Sequence, residues 1–264
     1  MINLNSIEKT LEYHELLMSM NDIDKYIKDV CLPKGYTFTF YNGEEDILEW
    51  AKIHLSSGEF TSYNRAVNYF EIFFKEFEDE LDKRCFFIEY NKEKIATATI
   101  SPTSENGYTC LIDWLAIKKD HQGKGLSKAL IYKCLEVARN LGNTSILLHT
   151  QTHTWLAAKL YLDVGFTPYN IEENIKGWQI LKTITNHKSL EIVESISENE
   201  MYDKLAITIT SELDKLYGDY NYEIWYTNGA NDVYVNNEGK FYHYKFFDDG
   251  KRLELKAWGD IYDL

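Results

Sequence analysis

A run of strand-forming residues gives way to a helical pattern at Gln122-Gly123-Lys124-Gly125-Leu126-Ser127. The strand-like run covers residues 108–117, and apolar residues at helical spacing continue to residue 141. The first N–H groups of a helix lack partners within the helix, and its dipole adds partial positive charge there. Two glycines allow close backbone approach to a ligand. The segment predicts a site for phosphate or pyrophosphate, and a glycine-rich helix start without a ligand is the alternative.

Two common nucleotide motifs are absent from this segment. The P-loop pattern GxxxxGK[ST] is missing, and so is the complete dinucleotide pattern GxGxxG. The segment is therefore neither a P-loop nor a dinucleotide-binding fingerprint, and the helix start without a ligand stays open as the alternative.

A second pattern, Thr154-Trp155-Leu156-Ala157-Ala158-Lys159-Leu160-Tyr161-Leu162-Asp163-Val164-Gly165-Phe166, follows about thirty residues later. Together the two patterns resemble the GNAT acyltransferase superfamily, whose motifs are Q/R-x-x-G-x-G/A and N-x-x-A-x-x-L-Y-x-x-x-G-F. Gln122 and Gly125 match the first motif, and Ser127 replaces Gly or Ala. Thr154 replaces Asn in the second motif, and its other defined positions match. The resemblance covers about residues 36–185.

This resemblance implies a site for acetyl-CoA as cosubstrate. The backbone N–H groups of residues 122–127 would hold the coenzyme A pyrophosphate. The end of the preceding strand, Leu115-Ala116-Ile117, would pair with the pantetheine arm, and this strand would splay from the next one at residues 145–150. Thr154 and Ala157 would line the coenzyme channel.

The resemblance also assigns a chemical role to Tyr161, which matches the tyrosine that often acts as general acid. Attack of a neutral amine on a thioester ends with the loss of a thiolate, which leaves more readily when a phenol supplies a proton. A core aromatic on a helix is the alternative for this residue.

The base that removes the amine proton is less defined by the sequence. Asp113 lies on the strand before the loop, near the position where some relatives carry a base. His149 and His153 flank the end of the next strand, and their intrinsic pKa suits proton transfer. A structural role for each of them, or a water chain in place of a side chain, remains open.

The order of the patterns predicts an α+β fold in three layers, with a GNAT-like mixed sheet flanked by helices. Residues 1–34 form a predicted helical segment, and residues 35–188 form the acyltransferase domain. Residues 178–184 are predicted as a late strand. Residues 189–264 hold 16 acidic and 7 basic residues and predict a small α+β domain, a helix followed by a β-meander.

Composition narrows the classes of protein that remain. The net charge of −14 disfavours nucleic-acid binding. No apolar run is long enough to cross a membrane, and the N-terminus lacks a secretory pattern. The four cysteines are scattered and predict buried thiols rather than a metal site or disulfides. We expect a cytoplasmic protein without a metal.

These features favour an acetyl-CoA-dependent N-acetyltransferase that acts on a primary amine of a small molecule or peptide. An acyl-CoA-binding sensor is the alternative, with a tyrosine-rich C-terminal domain that docks a partner or a second copy in a homodimer. The aromatic stripe between residues 66 and 77 fits a core, and it could also line an acceptor pocket.

Overall fold

The computed structural model describes residues 8–60, 62–103, 107–218, 223–226, 232–237, 240–247 and 252–260. The strands are β1 Glu15–Asn21, β2 Tyr36–Phe40, β3 Cys85–Tyr90, β4 Glu93–Pro102, β5 Thr109–Ile117, β6 Ser145–Gln151, β7 Thr167–Pro168, β8 Glu223–Tyr226, β9 Asp232–Asn237, β10 Lys240–Phe247 and β11 Arg252–Asp260. The α-helices are α1 Glu45–Ser57, α2 Tyr63–Phe73, α3 Leu81–Arg84, α4 Leu126–Asn140, α5 Trp155–Val164, α6 Ile175–Thr185 and α7 Lys204–Tyr217.

Seven strands form one mixed sheet in the order β2-β3-β4-β5-β6-β1-β7. Every neighbouring pair is antiparallel except β5 and β6, which run parallel. Their pairing covers only residues 109–112 against 145–148, although both strands continue beyond it. The two strands therefore part in their second halves, as the resemblance implied, and they leave a gap near the centre of the sheet.

Helices cover both faces of this sheet, so the predicted three-layer α+β fold is confirmed. Buried residues of α4, α5 and α6 pack in one cluster with the sheet, together with Leu190, Val193 and Met201. Residues of α1 and α2 form a second cluster around Trp50, Phe70 and Phe74 on the other side. The aromatic stripe of α2 thus contributes to a core, and several of its rings remain half-buried.

The helix predicted for the N-terminal segment is wrong. β1 occupies this segment and lies between β6 and β7, with a register that pairs Glu15 with Gln151 and Asn21 with Ser145. Leu16, Met18 and Met20 are buried at every second position, which is the period of a strand, and Ser19 between them is buried as well. The apolar residues of this segment fit both a helical and an alternating spacing. Pairing with all seven residues of β6 stabilises the strand.

The strand predicted over residues 178–184 is also wrong, because α6 covers it. Its buried residues Gly177, Trp178, Ile180 and Leu181 follow helical spacing. The helix packs closely on β1 and on the residue before it, because a Cβ at Gly177 would lie 2.6 Å from Cβ of His14 and 2.9 Å from Cδ2 of Leu16. The β-branched residues between residues 178 and 184 are typical of a strand, but packing of these residues against the core stabilises the helix instead.

The C-terminal helix and meander are confirmed. Asp203 caps α7 through its side chain, which accepts hydrogen bonds from the N–H groups of Leu205 and Ala206. Four antiparallel strands follow in the order β11-β10-β9-β8. Buried side chains of α7, β9 and β10 make a separate small core. The sequence predicts the first strand of the meander over residues 222–227, and residues 222 and 227 lie outside the described residues. The division into domains at residues 34 and 188 stays a prediction.

No helix in the described part of the chain is long and apolar enough to cross a membrane.

Candidate functional site

A cavity of about 430 Å³ opens where β5 and β6 part. Its walls come from the end of α1, the end of β5, the loop before α4, and α5. Most of the predicted site residues line it: Leu115, Ala116, Ile117, Gln122, Gly123, Ser127, Thr154, Ala157 and Tyr161. The fold thus brings both sequence motifs to one cavity.

The two glycines of the loop adopt backbone conformations that favour glycine. Gly123 has a φ of +70° and Gly125 has a φ of +79°, and Gly125 is the N-cap of α4. A Cβ built at either position would meet no atom within 4 Å. Backbone conformation, and not crowding, therefore requires glycine here, and the space beside the loop is open for a ligand such as a pyrophosphate.

The remaining loop residues frame this space. The side chain of Gln122 donates a hydrogen bond from Nε2 to the backbone O of Ile117, at 3.0 Å, which ties the loop to the end of β5. Ser127 lies in the first turn of α4 and lines the cavity. Lys124 and Gly125 are exposed, and Leu126 is buried in the core beneath the loop.

The end of β5 has one free edge in this region. Ala116 and Ile117 pair with Thr97 and Ala96 of β4 on one side. On the other side no β6 residue pairs with β5 beyond Ile112. An extended ligand arm can pair with such an edge as a strand would, which is the arrangement that the resemblance implied for pantetheine.

Thr154 and Ala157 lie at the start of α5, on the opposite wall. The Thr154 hydroxyl is 3.2 Å from Oγ1 of Thr150 and donates a hydrogen bond to the backbone O of Gln151, also at 3.2 Å. Threonine at this family position therefore fastens the start of α5 to the end of β6.

Tyr161 reaches the cavity from the middle of α5 and is 7% exposed. Its ring packs edge-on against Phe166, with centroids 5.8 Å apart. Its hydroxyl has no hydrogen-bond partner among the described residues. Burial raises the pKa of Tyr161 well above its usual range, and Cys134 and Glu59 add to the rise. The phenol thus stays protonated and can donate.

Glu59 is a cavity residue that the sequence analysis missed. It follows the αL cap Gly58 at the end of α1, and its N–H donates to the backbone O of His54 at 2.9 Å. Glu59 as a whole residue is exposed to solvent, while desolvation raises the pKa of its carboxyl, against the opposing charge of Lys9. No sequence motif marks this position. Glu59 lines the cavity only because α1 ends there.

Contact between α1 and the glycine loop supports this placement. Ser56 Oγ accepts a hydrogen bond from the backbone N–H of Lys119 at 3.1 Å, and Ser57 lines the cavity beside Glu59. The last turn of α1 therefore forms a fixed part of the cavity wall.

The three predicted base candidates do not line the cavity. His153 is buried, its Nε2 is 2.9 Å from the backbone O of Leu11, and burial lowers its pKa to about 4. His149 is exposed, with Nδ1 2.7 Å from Oε1 of Glu15. Asp113 lies on β5, and burial raises its pKa, against opposing effects of Ser101 and His149. The structure brings Asp113 and His149 near each other and leaves His153 elsewhere.

Comparison with known proteins adds to this geometry. The model of the acetyltransferase (GNAT) family matches residues 46–166. This stretch of the chain is therefore similar to the acetyltransferase (GNAT) family. Both motifs and the cavity residue Glu59 fall within the matched stretch.

Individual relatives match over shorter stretches. N-acetyltransferase 8B of Rattus norvegicus is 42% identical over 52 residues, which is 20% of this chain and 23% of that protein. The chloroplastic GCN5-related N-acetyltransferase 4 of Arabidopsis thaliana is 31% identical over 85 residues, 32% of this chain and 29% of that protein. The matched stretch therefore spans less than a third of either relative.

A solved structure shares the fold. The GCN5-related N-acetyltransferase from Sphaerobacter thermophilus superposes with a TM-score of 0.50 and 14% identity, and covers 61% of this chain and 49% of that one. At this identity the likeness concerns the fold alone.

Proposed function

We propose that the protein is an acetyl-CoA-dependent N-acetyltransferase that transfers the acetyl group to a primary amine of a small molecule or peptide by direct attack. The observation that carries this proposal is the cavity shared by the glycine loop, the free edge of β5 and the buried phenol of Tyr161. A cytoplasmic location and a homodimer remain predictions.

The residues around the cavity fit coenzyme A. Gly123 and Gly125 leave open space beside the N-terminus of α4, where unpaired N–H groups and the helix dipole favour a pyrophosphate. Lys159 also lines the cavity, where it forms an ion pair with Asp163 at 2.7 Å. The free edge of β5 provides backbone groups for the pantetheine arm.

Tyr161 and Glu59 then divide the proton transfers. Acetyl-CoA supplies an activated acyl group, and the chain has to supply a proton to the departing sulfur and remove one from the amine. Tyr161 is protonated and suits the first task. A carboxylate with a raised pKa is a stronger base than an ordinary one, and Glu59 shares the cavity with Tyr161. We therefore assign the base to Glu59 rather than to Asp113, His149 or His153.

A direct assay tests this function. The purified full chain is mixed with acetyl-CoA and a panel of primary amines, and the release of free thiol is recorded while mass spectrometry identifies acetylated products. Coenzyme A binding is measured separately by calorimetry. We expect tight binding and thiol release that depends on an amine. Binding without turnover across the panel would contradict the enzyme and favour the acyl-CoA-binding sensor.

A further inference from the structure

The strand β2 forms one edge of the seven-stranded sheet and has no neighbour on its outer side among the described residues. Its sequence is Tyr36-Thr37-Phe38-Thr39-Phe40, and its register with β3 is unbroken along the whole strand. A free strand edge presents unpaired backbone N–H and C=O groups, to which another strand can add. β2 is therefore a place where a further strand can extend the sheet.

Two other sheet edges carry features that prevent such pairing. β7, at the opposite edge of the same sheet, consists of two residues and includes Pro168. β11, at one edge of the C-terminal sheet, carries Arg252, Glu254 and Lys256, and its register with β10 is interrupted by a shift. Short strands, proline, charges and bulges all oppose edge-to-edge pairing. β2 contains no charged residue, no proline and no register shift.

The hydrogen-bond pattern shows which backbone groups of β2 face outward. The N–H of Tyr41, directly after β2, donates to the backbone O of Cys85 in β3 at 3.0 Å. Hydrogen-bonded positions alternate along an antiparallel pair, so Phe38 and Phe40 direct their N–H and C=O groups away from β3. Tyr36 follows the same alternation, and its N–H donates to a preceding turn instead of to β3. The free edge thus offers both groups of Phe38 and Phe40, and the C=O of Tyr36.

Side chains on one face hold β2 in its strand conformation. The hydroxyl of Tyr36 is 3.1 Å from Nδ1 of His121, at the start of the glycine loop. Nζ of Lys133 on α4 lies over the rings of Phe38 and Phe40, 5.4 and 5.6 Å from their centroids. An edge that is already ordered loses little conformational entropy when a partner binds.

The sequence of β2 reads almost the same in both directions. When two copies pair antiparallel about Phe38, the two Phe38 residues face each other, Tyr36 faces Phe40, and Thr37 faces Thr39. Aromatic pairs and threonine pairs are both favourable across neighbouring strands. In this register the outward groups of Phe38 bond to those of the second copy, and the N–H of Phe40 meets the C=O of Tyr36. Such a two-fold arrangement repeats every contact.

The charges at the two ends of β2 fit the same arrangement. Lys34, which is exposed, precedes the strand, and the exposed residues Glu44 and Glu45 follow it. Antiparallel pairing brings the basic end of each copy beside the acidic end of the other. The strand between these ends has no charge that pairing would remove from water. Self-complementary side chains and charges favour a second copy of this chain over an unrelated strand.

We propose that β2 is the interface of a homodimer, in which the β2 strands of two copies pair antiparallel about Phe38 and join the two seven-stranded sheets into one. This interface lies in the large sheet and not in the C-terminal domain, where the sequence suggested that a second copy docks. The dimer forms independently of the proposed reaction, so its test and the test of the proposed function can fail separately.

Sedimentation of the full chain between about 1 and 100 μM measures the association. We expect a dimer at the higher concentrations. Thr37→Lys places a charge on the edge and should raise the dimer dissociation constant about 10-fold or more, and Thr37 is exposed, so the variant should fold. Thr167→Lys makes the same change at an exposed position of β7 and should leave the constant within about twofold. A monomer at every concentration, or a dimer that Thr37→Lys leaves intact, would overturn the proposal.

Hydrogen exchange of the backbone tests whether the dimer uses β2. The N–H groups of Phe38 and Phe40 are bonded in the proposed dimer and free at the edge of a single copy. We expect them to exchange about 10-fold more slowly, or slower still, at high protein concentration, and to lose this protection in Thr37→Lys. Unprotected N–H groups in a dimer would place the interface elsewhere. Protection that does not depend on concentration would mean that one copy covers its own edge, and either result overturns the proposal.

A disulfide tests the register about Phe38. Thr37→Cys and Thr39→Cys proteins, both with Cys31→Ser to remove the exposed native thiol, are oxidised separately and as a mixture. Directly opposed residues are within reach of a disulfide. The same residue in the two copies is offset by two positions, which is too far. The covalent dimer should therefore form about 10-fold faster or more in the mixture, and equal rates would refute this pairing.

Discussion

Replacing Tyr161 with Phe removes the proposed acid and little else. The ring keeps its edge-on contact with Phe166, at 5.8 Å between centroids. The hydroxyl makes no hydrogen bond among the described residues, so its loss leaves no partner unsatisfied. We expect the free energy of unfolding to change by less than about 1 kcal/mol.

The effect on catalysis should be much larger. Loss of a positioned proton donor lowers kcat by about 10²- to 10⁴-fold, which corresponds to about 2.7–5.4 kcal/mol of transition-state stabilisation. Burial keeps the pKa of Tyr161 above the working range, so unmodified protein should show no alkaline loss of activity from this group near neutral pH.

Thiol release at saturating acetyl-CoA and amine measures kcat, and calorimetry measures coenzyme A binding, which should stay within about twofold. Tyr132→Phe is the matched control, because Tyr132 is a half-buried tyrosine of α4 that packs on the same core and does not line the cavity. A kcat for Tyr161→Phe equal to that of the control would refute the acid role.

Three further predictions concern the loop, the base and the core. Gly123→Ala should weaken coenzyme A binding by about 10-fold or more. Gly142 has a similar φ of +86° at the other end of α4, so Gly142→Ala should lower stability by about 1–2 kcal/mol without affecting coenzyme A binding. Equal affinities of the two variants for coenzyme A, measured by calorimetry, would contradict the loop assignment. Glu59→Gln should lower kcat/KM by about 10²- to 10⁴-fold. We expect the unmodified protein to lose activity as pH falls through the raised pKa of Glu59, and the variant should lack this acidic limb; an unchanged acidic limb would exclude Glu59 as base. His54 is fully buried, which lowers its pKa to about 3. Between about pH 6.5 and 3 only the unfolded chain binds this proton. The free energy of unfolding therefore decreases by about 1.4 kcal/mol for each unit by which the pH is lowered in this range. The free energy of unfolding of His54→Leu, measured by urea unfolding at several pH values, should change with pH by about 1.4 kcal/mol per unit less than that of the unmodified protein. The same pH dependence in both proteins would count against the buried neutral imidazole.

Local sequence was sufficient to predict the glycine loop. Gly123 and Gly125 have the positive φ values that a tight turn into α4 needs, and Tyr161 lies on the short helix α5, which begins directly after Thr154. These features depend on backbone conformation and on helical spacing, which neighbouring residues fix. The meander was predictable for the same reason, since strong turn residues separate short alternating strands.

Only the tertiary structure decided which distant residues join the site. β1 became a strand because β6 offered a partner along its whole length, and α6 became a helix because Gly177 allows close packing on that strand. Glu59 reaches the cavity because α1 ends against the segment that leads into the glycine loop. The sequence by itself determined the loop, its helix and the tyrosine, whereas partners far apart in the chain are chosen by pairing and packing that no local spacing encodes.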